Sequence, residues 1–127
     1  MKFGLAVNIN ETVSEIVTKC VEAERLGLDS VWVSDVSVQL YAPVVAAAIA
    51  QNTRKIQIGL GLISAYLHTP HHIAQSLITL IETYGDRFEL CIGPGDKNLL
   101  RRVGVSFTRP EGLRCYFRDA SAPIRTK

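Results

Sequence analysis

Short apolar runs alternate along the chain with segments whose apolar residues recur every three to four positions. The runs cover residues 2–8, 30–34, 56–63 and 88–92, and their length and apolar, often β-branched content are typical of buried strands. The recurring segments follow each run, at 13–26, 44–51, 70–84 and 98–103, and predict helices. Strict alternation of strand and helix predicts an α/β fold with a parallel sheet.

Local signals mark where two of these helices begin and end. Thr12 and Glu15 have the spacing of a capping box, and Thr69 is an N-cap candidate followed by proline. Gly27 and Gly85 follow the last apolar positions and predict helix ends. Two further glycines, at 59 and 61, interrupt the third apolar run and indicate a bulge or a close backbone approach.

The length of the chain decides which parallel architecture it can form. No G-x-G-x-x-G pattern follows the first strand, which argues against a dinucleotide-binding doubly wound sheet. A complete TIM (β/α)8 barrel needs about 250 residues, so the 127-residue chain is expected to form about half of one. Because a half-barrel leaves strand edges and one sheet face uncovered, we expect a homo-oligomer.

Charge separates the end of the chain from the rest. Residues 1–100 have a net charge of −3, whereas residues 101–127 have +5. These bases lack helical spacing or a recognised motif, so no nucleic-acid partner is predicted. We instead expect residues 114–127 to be an atypical basic tail, either non-native or disordered. With no membrane-length apolar run and no leader pattern, no membrane association is predicted and the chain is expected to be cytoplasmic.

Cysteine and histidine positions give no metal site. Cys20, Cys91 and Cys115 have no C-x-x-C spacing, and the first two lie in apolar segments that predict core positions. His68, His71 and His72 have no acid or cysteine at matching spacing, and solvent-exposed histidines at a helix start are expected. Trp32 and Tyr66 are interpreted as packing residues.

Several segments resemble the luciferase-like monooxygenase superfamily. They are KFGLAV, EAERLGLDSVWVSD, IQIGLGLISAYLHTP, and DRFELCIGPGDK followed by VGVSFTRP. Within the superfamily they are most similar to the coenzyme F420-dependent methylenetetrahydromethanopterin reductases, to which GPGDK is fairly specific. The resemblance covers residues 1–113. It implies a barrel with a deazaflavin lying across the carboxyl ends of the strands.

The resemblance also implies roles for individual residues. A non-prolyl cis peptide bond behind the cofactor ring maps onto Gly61–Leu62, and the cofactor-binding positions are Asp35, Gly61, Leu62, Ile63, Ser64 and Gly95. Asp96 would act as the catalytic acid or as an electrostatic stabiliser at the pterin nitrogen. Two alternatives stay open: Asp35 as a turn or cap aspartate, and Asp96 as the solvated N-cap of the following helix.

Three positions depart from the pattern of the reductases or their relatives. Ala6 stands where the reductases usually have glutamate, Ser64 replaces an asparagine, and Val36 replaces a histidine common in alcohol- and sugar-oxidising relatives. The resemblance therefore implies a truncated F420-dependent reductase-like protein with a pterin substrate, either active or inactive. The alternatives are an FMN-dependent luciferase-like monooxygenase and a non-catalytic half-barrel that dimerises.

Overall fold

Strands and helices alternate as the apolar pattern predicts. The computed structural model describes residues 1–7, 10–35 and 40–106. Val36, Cys115 and the predicted tail at 114–127 lie outside the described residues. The elements are β1 (Gly4–Val7), α1 (Val13–Arg25), β2 (Ser30–Val33), α2 (Ala42–Asn52), β3 (Gln57–Ser64), α3 (Pro70–Tyr84), β4 (Phe88–Gly93) and α4 (Lys97–Arg102).

The four strands form one parallel sheet in sequential order, which is the arrangement of a partial (β/α) barrel. One face packs against the helices in a single core, to which the sheet contributes Val31, Val33, Ile58, Leu60 and Ile63. On the other face, Ala6, Glu89 and Cys91 are exposed. We call this second face the inner face, because it corresponds to the inside of a closed barrel. The predicted half-barrel with one uncovered face is therefore confirmed for the described residues.

The predicted capping signals are present. The Thr12 hydroxyl accepts a hydrogen bond from Glu15 N at 3.3 Å, and the Glu15 carboxylate accepts one from Thr12 N at 2.8 Å. The Thr69 hydroxyl accepts from His72 N at 3.3 Å. Because these contacts span only three residues, the sequence spacing was sufficient to predict them.

The glycines of β3 have the two consequences that the sequence indicated. The β3–β4 pairing shifts register between Leu60 and Ile63, which is the expected bulge. Trp32 lies against Gly59 on the inner face, where a β-carbon would collide with its indole ring. The half-buried Trp32 is therefore a packing residue, as predicted.

The prediction for Cys91 is wrong. Its side chain is exposed on the inner face, because alternate residues of β4 point away from the helices and nothing in residues 1–7, 10–35 and 40–106 covers them. Cys20 does lie in the core, and burial raises the pKa of its thiol to about 11. Among the described residues, no helix combines the length and the apolar character that crossing a bilayer requires.

Glu24 binds the connection between α2 and β3 by hydrogen bonds, although it lies about thirty positions earlier in the sequence. Its carboxylate accepts hydrogen bonds from the backbone amides of Arg54, Lys55 and Ile56 at 2.7 to 3.1 Å. Burial alone would raise the pKa of Glu24, but these three amide donors outweigh it and hold the pKa below the ordinary glutamate value.

We expect Glu24→Gln to lower the free energy of unfolding at pH 7 by about 1 kcal/mol, because a neutral amide is a weaker acceptor. A depressed native pKa gives stability that is present above the unfolded-state pKa and is lost as the pH falls through the native value. The difference in the free energy of unfolding between wild type and Glu24→Gln should therefore become smaller below about pH 4. Urea unfolding at pH 7 and pH 3 measures it, with the exposed Glu82→Gln as control. An equal gap at both pH values would contradict the assignment.

Candidate functional site

A cavity of about 220 Å³ lies at the carboxyl ends of β2, β3 and β4. Its lining residues come from β3, from α4 and from the segments that follow β2, β3 and β4: Ser34, Asp35, Leu62, Ser64, Leu67, Gly95, Asp96 and Leu99. The carboxyl ends of parallel strands are where barrel enzymes place their active sites. Five of the seven residues predicted from the resemblance line this cavity: Asp35, Leu62, Ser64, Gly95 and Asp96.

The other two predicted cofactor positions lie beside the cavity. The peptide bond between Gly61 and Leu62 is cis, as the resemblance implied. A β-carbon at Gly61 would come within 2.9 Å of Cys91 Cβ, so the inner face needs glycine there. Ile63 is buried in the core on the helix side, and its side chain does not line the cavity.

Ser64 joins the end of β3 to the glycine-rich turn that follows β4. Its buried hydroxyl donates to the Pro94 carbonyl at 3.0 Å and accepts from Tyr66 N at 3.3 Å. Gly95 has φ +80°, and a β-carbon there would lie 2.7 Å from Ser64 Oγ. Glycine at 95 is thus required both by the backbone conformation and by the serine packed against it.

Asp96 is exposed and occupies the position of the N-cap of α4. Its Oδ1 accepts a hydrogen bond from Leu99 N at 2.8 Å. Within residues 1–7, 10–35 and 40–106, no hydrogen-bond partner is found for the second oxygen, Oδ2. Asp96 therefore has the geometry of the N-cap alternative and also borders the cavity, so capping does not remove it from the site.

Asp35 is buried and pairs with a residue that the sequence reasoning placed elsewhere. The Asp35 Oδ2 atom lies 2.6 Å from His68 Nε2, and the two side chains are 1% and 16% exposed. The prediction of a solvent-exposed His68 is therefore wrong, whereas His71 and His72 are exposed as expected. No cluster of three or more His, Cys, Asp or Glu residues suited to a metal occurs in the described part of the chain.

A signal for the Asp35–His68 pair was present in the sequence. Asp35 follows the end of β2 by two residues, and His68 follows the end of β3 by four residues. Because neighbouring parallel strands end at the same edge of the sheet, their following segments are brought together.

The cavity suits a planar heterocycle with one polar edge. Leu62, Leu67 and Leu99 provide apolar surface, and Leu62 is 41% exposed on the inner face. Asp96 is exposed at the rim, whereas Asp35 borders the cavity with a buried side chain. A few polar groups around an apolar wall are the usual composition of a cofactor site. The residues present therefore fit a flavin or deazaflavin ring.

Comparison with known proteins finds relatives over most of the chain. It is 30% identical to a 5,10-methylenetetrahydromethanopterin reductase from Archaeoglobus fulgidus and 29% identical to one from Methanolobus tindarius, each over 110 residues and 87% of the chain. The F420-dependent tetrahydromethanopterin reductase structure from Methanopyrus kandleri superposes with a TM-score of 0.78 at 27% identity, covering 84% of this chain and 30% of that one.

The match is confined to part of each relative. The chain spans about a third of the length of the two curated reductases, 33% and 34%. The sequence profile of the luciferase-like monooxygenase family matches residues 1–114. With the partial parallel barrel and the cavity at the carboxyl ends of its strands, this match shows that the chain belongs to the luciferase-like monooxygenase family.

Proposed function

We propose that the chain provides the cofactor wall of an F420-dependent reductase that acts on a pterin-bound one-carbon unit. The observation that carries the proposal is the cavity that brings Asp35 and Asp96 to the rim of one apolar surface. The identity of about 30% to methylenetetrahydromethanopterin reductases, over 87% of the chain, supports this choice within the family.

Each residue of the cavity would have a separate role in binding or catalysis. Leu62 would support the face of the ring, and Asp35 would meet its polar edge. When bound, reduced F420 would supply a hydride to the pterin-bound methylene carbon. Asp96 Oδ2 would hold a proton, or negative charge, beside the pterin nitrogen, while Oδ1 stays on Leu99 N and fixes the carboxylate in place.

Titration of the purified chain with F420, followed by cofactor fluorescence, tests the proposal directly. We expect saturable binding that is tighter for F420 than for FMN in a parallel titration. Preference for FMN would support the alternative of an FMN-dependent monooxygenase. Binding of neither cofactor would contradict the proposed function.

A pair of leucine variants ties the binding to the cavity. Leu62→Ser should weaken F420 binding about tenfold, because about 50 Å² of apolar contact with the ring would be lost. Leu26→Ser is the control, since Leu26 is 64% exposed and lies after α1, outside the cavity lining. Equal affinities for the two variants would show that F420 binds elsewhere.

A further inference from the structure

The Asp35–His68 pair connects the rim of the cavity to the interior of the protein. Asp35 lines the cavity, whereas His68 lines an apolar crevice together with Tyr41, Leu60 and Ile63. The ring centroids of His68 and Tyr41 are 5.6 Å apart, so the imidazole is bordered on that side by an aromatic ring. His68 therefore touches the carboxylate of the site without lining the site.

Burial makes this pair necessary for Asp35. The carboxylate side chain is 1% exposed, and a buried carboxylate without a partner is strongly unfavourable. His68 is the hydrogen-bond partner of the Asp35 side chain among the described residues, with Nε2 and Oδ2 2.6 Å apart. The position of the acid at the cavity rim therefore depends on where the imidazole is held.

His68 is itself held by the residue that fixes the opposite side of the cavity. Its backbone N–H donates to the Ser64 carbonyl at 3.2 Å. The Ser64 hydroxyl donates to the Pro94 carbonyl at 3.0 Å, in the turn that leads to Asp96. A continuous set of contacts thus joins Asp35, His68, Ser64 and Pro94, and it links the two acid-bearing connections after β2 and β4.

We propose that His68 is a positioning residue for cofactor binding, which fixes the Asp35 carboxylate at the cavity rim in register with the turn that carries Asp96. The inference rests on the proposed function, because it assumes that a cofactor ring occupies the cavity. His68 acts through Asp35, and its effect should depend on a hydrogen bond donated at the position of Nε2.

Three single variants test this role. His68→Leu removes the donor and should raise the dissociation constant for F420 about tenfold. His68→Gln keeps a neutral donor of similar reach and should recover most of the affinity. His71→Leu, an exposed histidine on α3, is the matched control and should bind as the wild type does. An unchanged affinity in His68→Leu, or no recovery in His68→Gln, would overturn the inference.

A double variant separates action through Asp35 from an independent effect. If His68 works by placing the carboxylate, Asp35→Asn combined with His68→Leu should bind F420 within about twofold of the weaker single variant. Fully multiplicative losses would show that the two side chains act separately. Circular dichroism on each variant confirms that the compared proteins are folded.

The unmodified protein provides a second test if His68→Leu does not fold. Histidine ring ¹⁵N spectra should show a hydrogen-bonded Nε2–H for His68, whose signals move when F420 is added, while those of His71 and His72 stay in place. Unmoved His68 signals at saturating F420 would overturn the inference and leave the proposed function intact. Failure of the wild type to bind either cofactor would instead reject the proposed function, and the inference with it.

Discussion

Replacing Arg87 with methionine is expected to lower the free energy of unfolding by about 3–5 kcal/mol. Arg87 is 7% exposed and precedes β4, and its guanidinium donates to Thr53 Oγ1, Thr53 O and Ala50 O at 2.7 to 2.9 Å. Longer contacts reach the carbonyls of Ile56 and Tyr84, both at 3.4 Å. Methionine has similar bulk but would leave these buried acceptors without a donor.

The pKa of Arg87 reflects both its burial and the nearby charge of Glu24. Burial lowers the pKa of the Arg87 guanidinium from the ordinary arginine value, and the charge of Glu24 opposes that shift. Glu24 and Arg87 bind the same connection between α2 and β3, one through its amides and the other through its carbonyls. These contacts lie at the amino ends of β3 and β4, at the opposite edge of the sheet from the cavity.

Urea unfolding followed by circular dichroism measures the effect of Arg87→Met. Arg54→Met is the matched control, because the Arg54 side chain is exposed in the same connection, where its backbone amide binds Glu24. We expect the control to differ from wild type by less than about 0.5 kcal/mol. Similar losses in the two variants would mean that the buried network contributes little.

The second large effect is expected on activity. If the proposed function holds, Asp96→Asn should lower the rate of F420-dependent reduction of methylenetetrahydromethanopterin about 100-fold, since general acid–base groups typically contribute at least that much. Asparagine is a good N-cap, so the hydrogen bond from Leu99 N should persist and the stability should change little. The substitution therefore separates the charge of Asp96 from its cap.

Stopped-flow loss of reduced F420 in the presence of the pterin substrate measures this rate. Asp86→Asn is the control, because Asp86 is an exposed acid just before β4, at the other end of the same strand. If Asp96→Asn and Asp86→Asn react equally fast, Asp96 is only a helix cap. A rate loss accompanied by an equal loss of folded protein would also argue against a chemical role.

Part of the candidate site was predictable because it lies in short, locally determined segments. The resemblance implied the candidate positions Asp35, Gly61 and the Gly95–Asp96 turn, and each of them lies at a glycine or just after a strand end. Their meeting at one cavity follows from parallel pairing in sequential order. Parallel pairing also brings the segments that carry Asp35 and His68 to one edge of the sheet, but the direct contact between these two side chains, 33 residues apart in sequence, depends on the packing of those segments.

The inner face shows a second limit of reasoning from local pattern. An apolar run predicts a strand but does not show whether both faces of that strand will be covered. Ala6 and Cys91 lie in such runs and are exposed, because the part of the chain that the structure describes covers only one face of the sheet. Burial is a property of the assembled sheet, and periodicity alone does not determine it.

The sequence by itself determined the order of strands and helices, the two capped helix starts and the α/β class. Each of these depends on residues a few positions apart, whose spacing decides which hydrogen bonds can form. Only the tertiary structure decided three sets of hydrogen bonds. His68 binds Asp35, Glu24 and Arg87 both bind the connection between α2 and β3, and Ser64 binds the turn before Asp96. Those contacts join residues about thirty positions apart, so they exist only once the parallel sheet has set the distances between its loops.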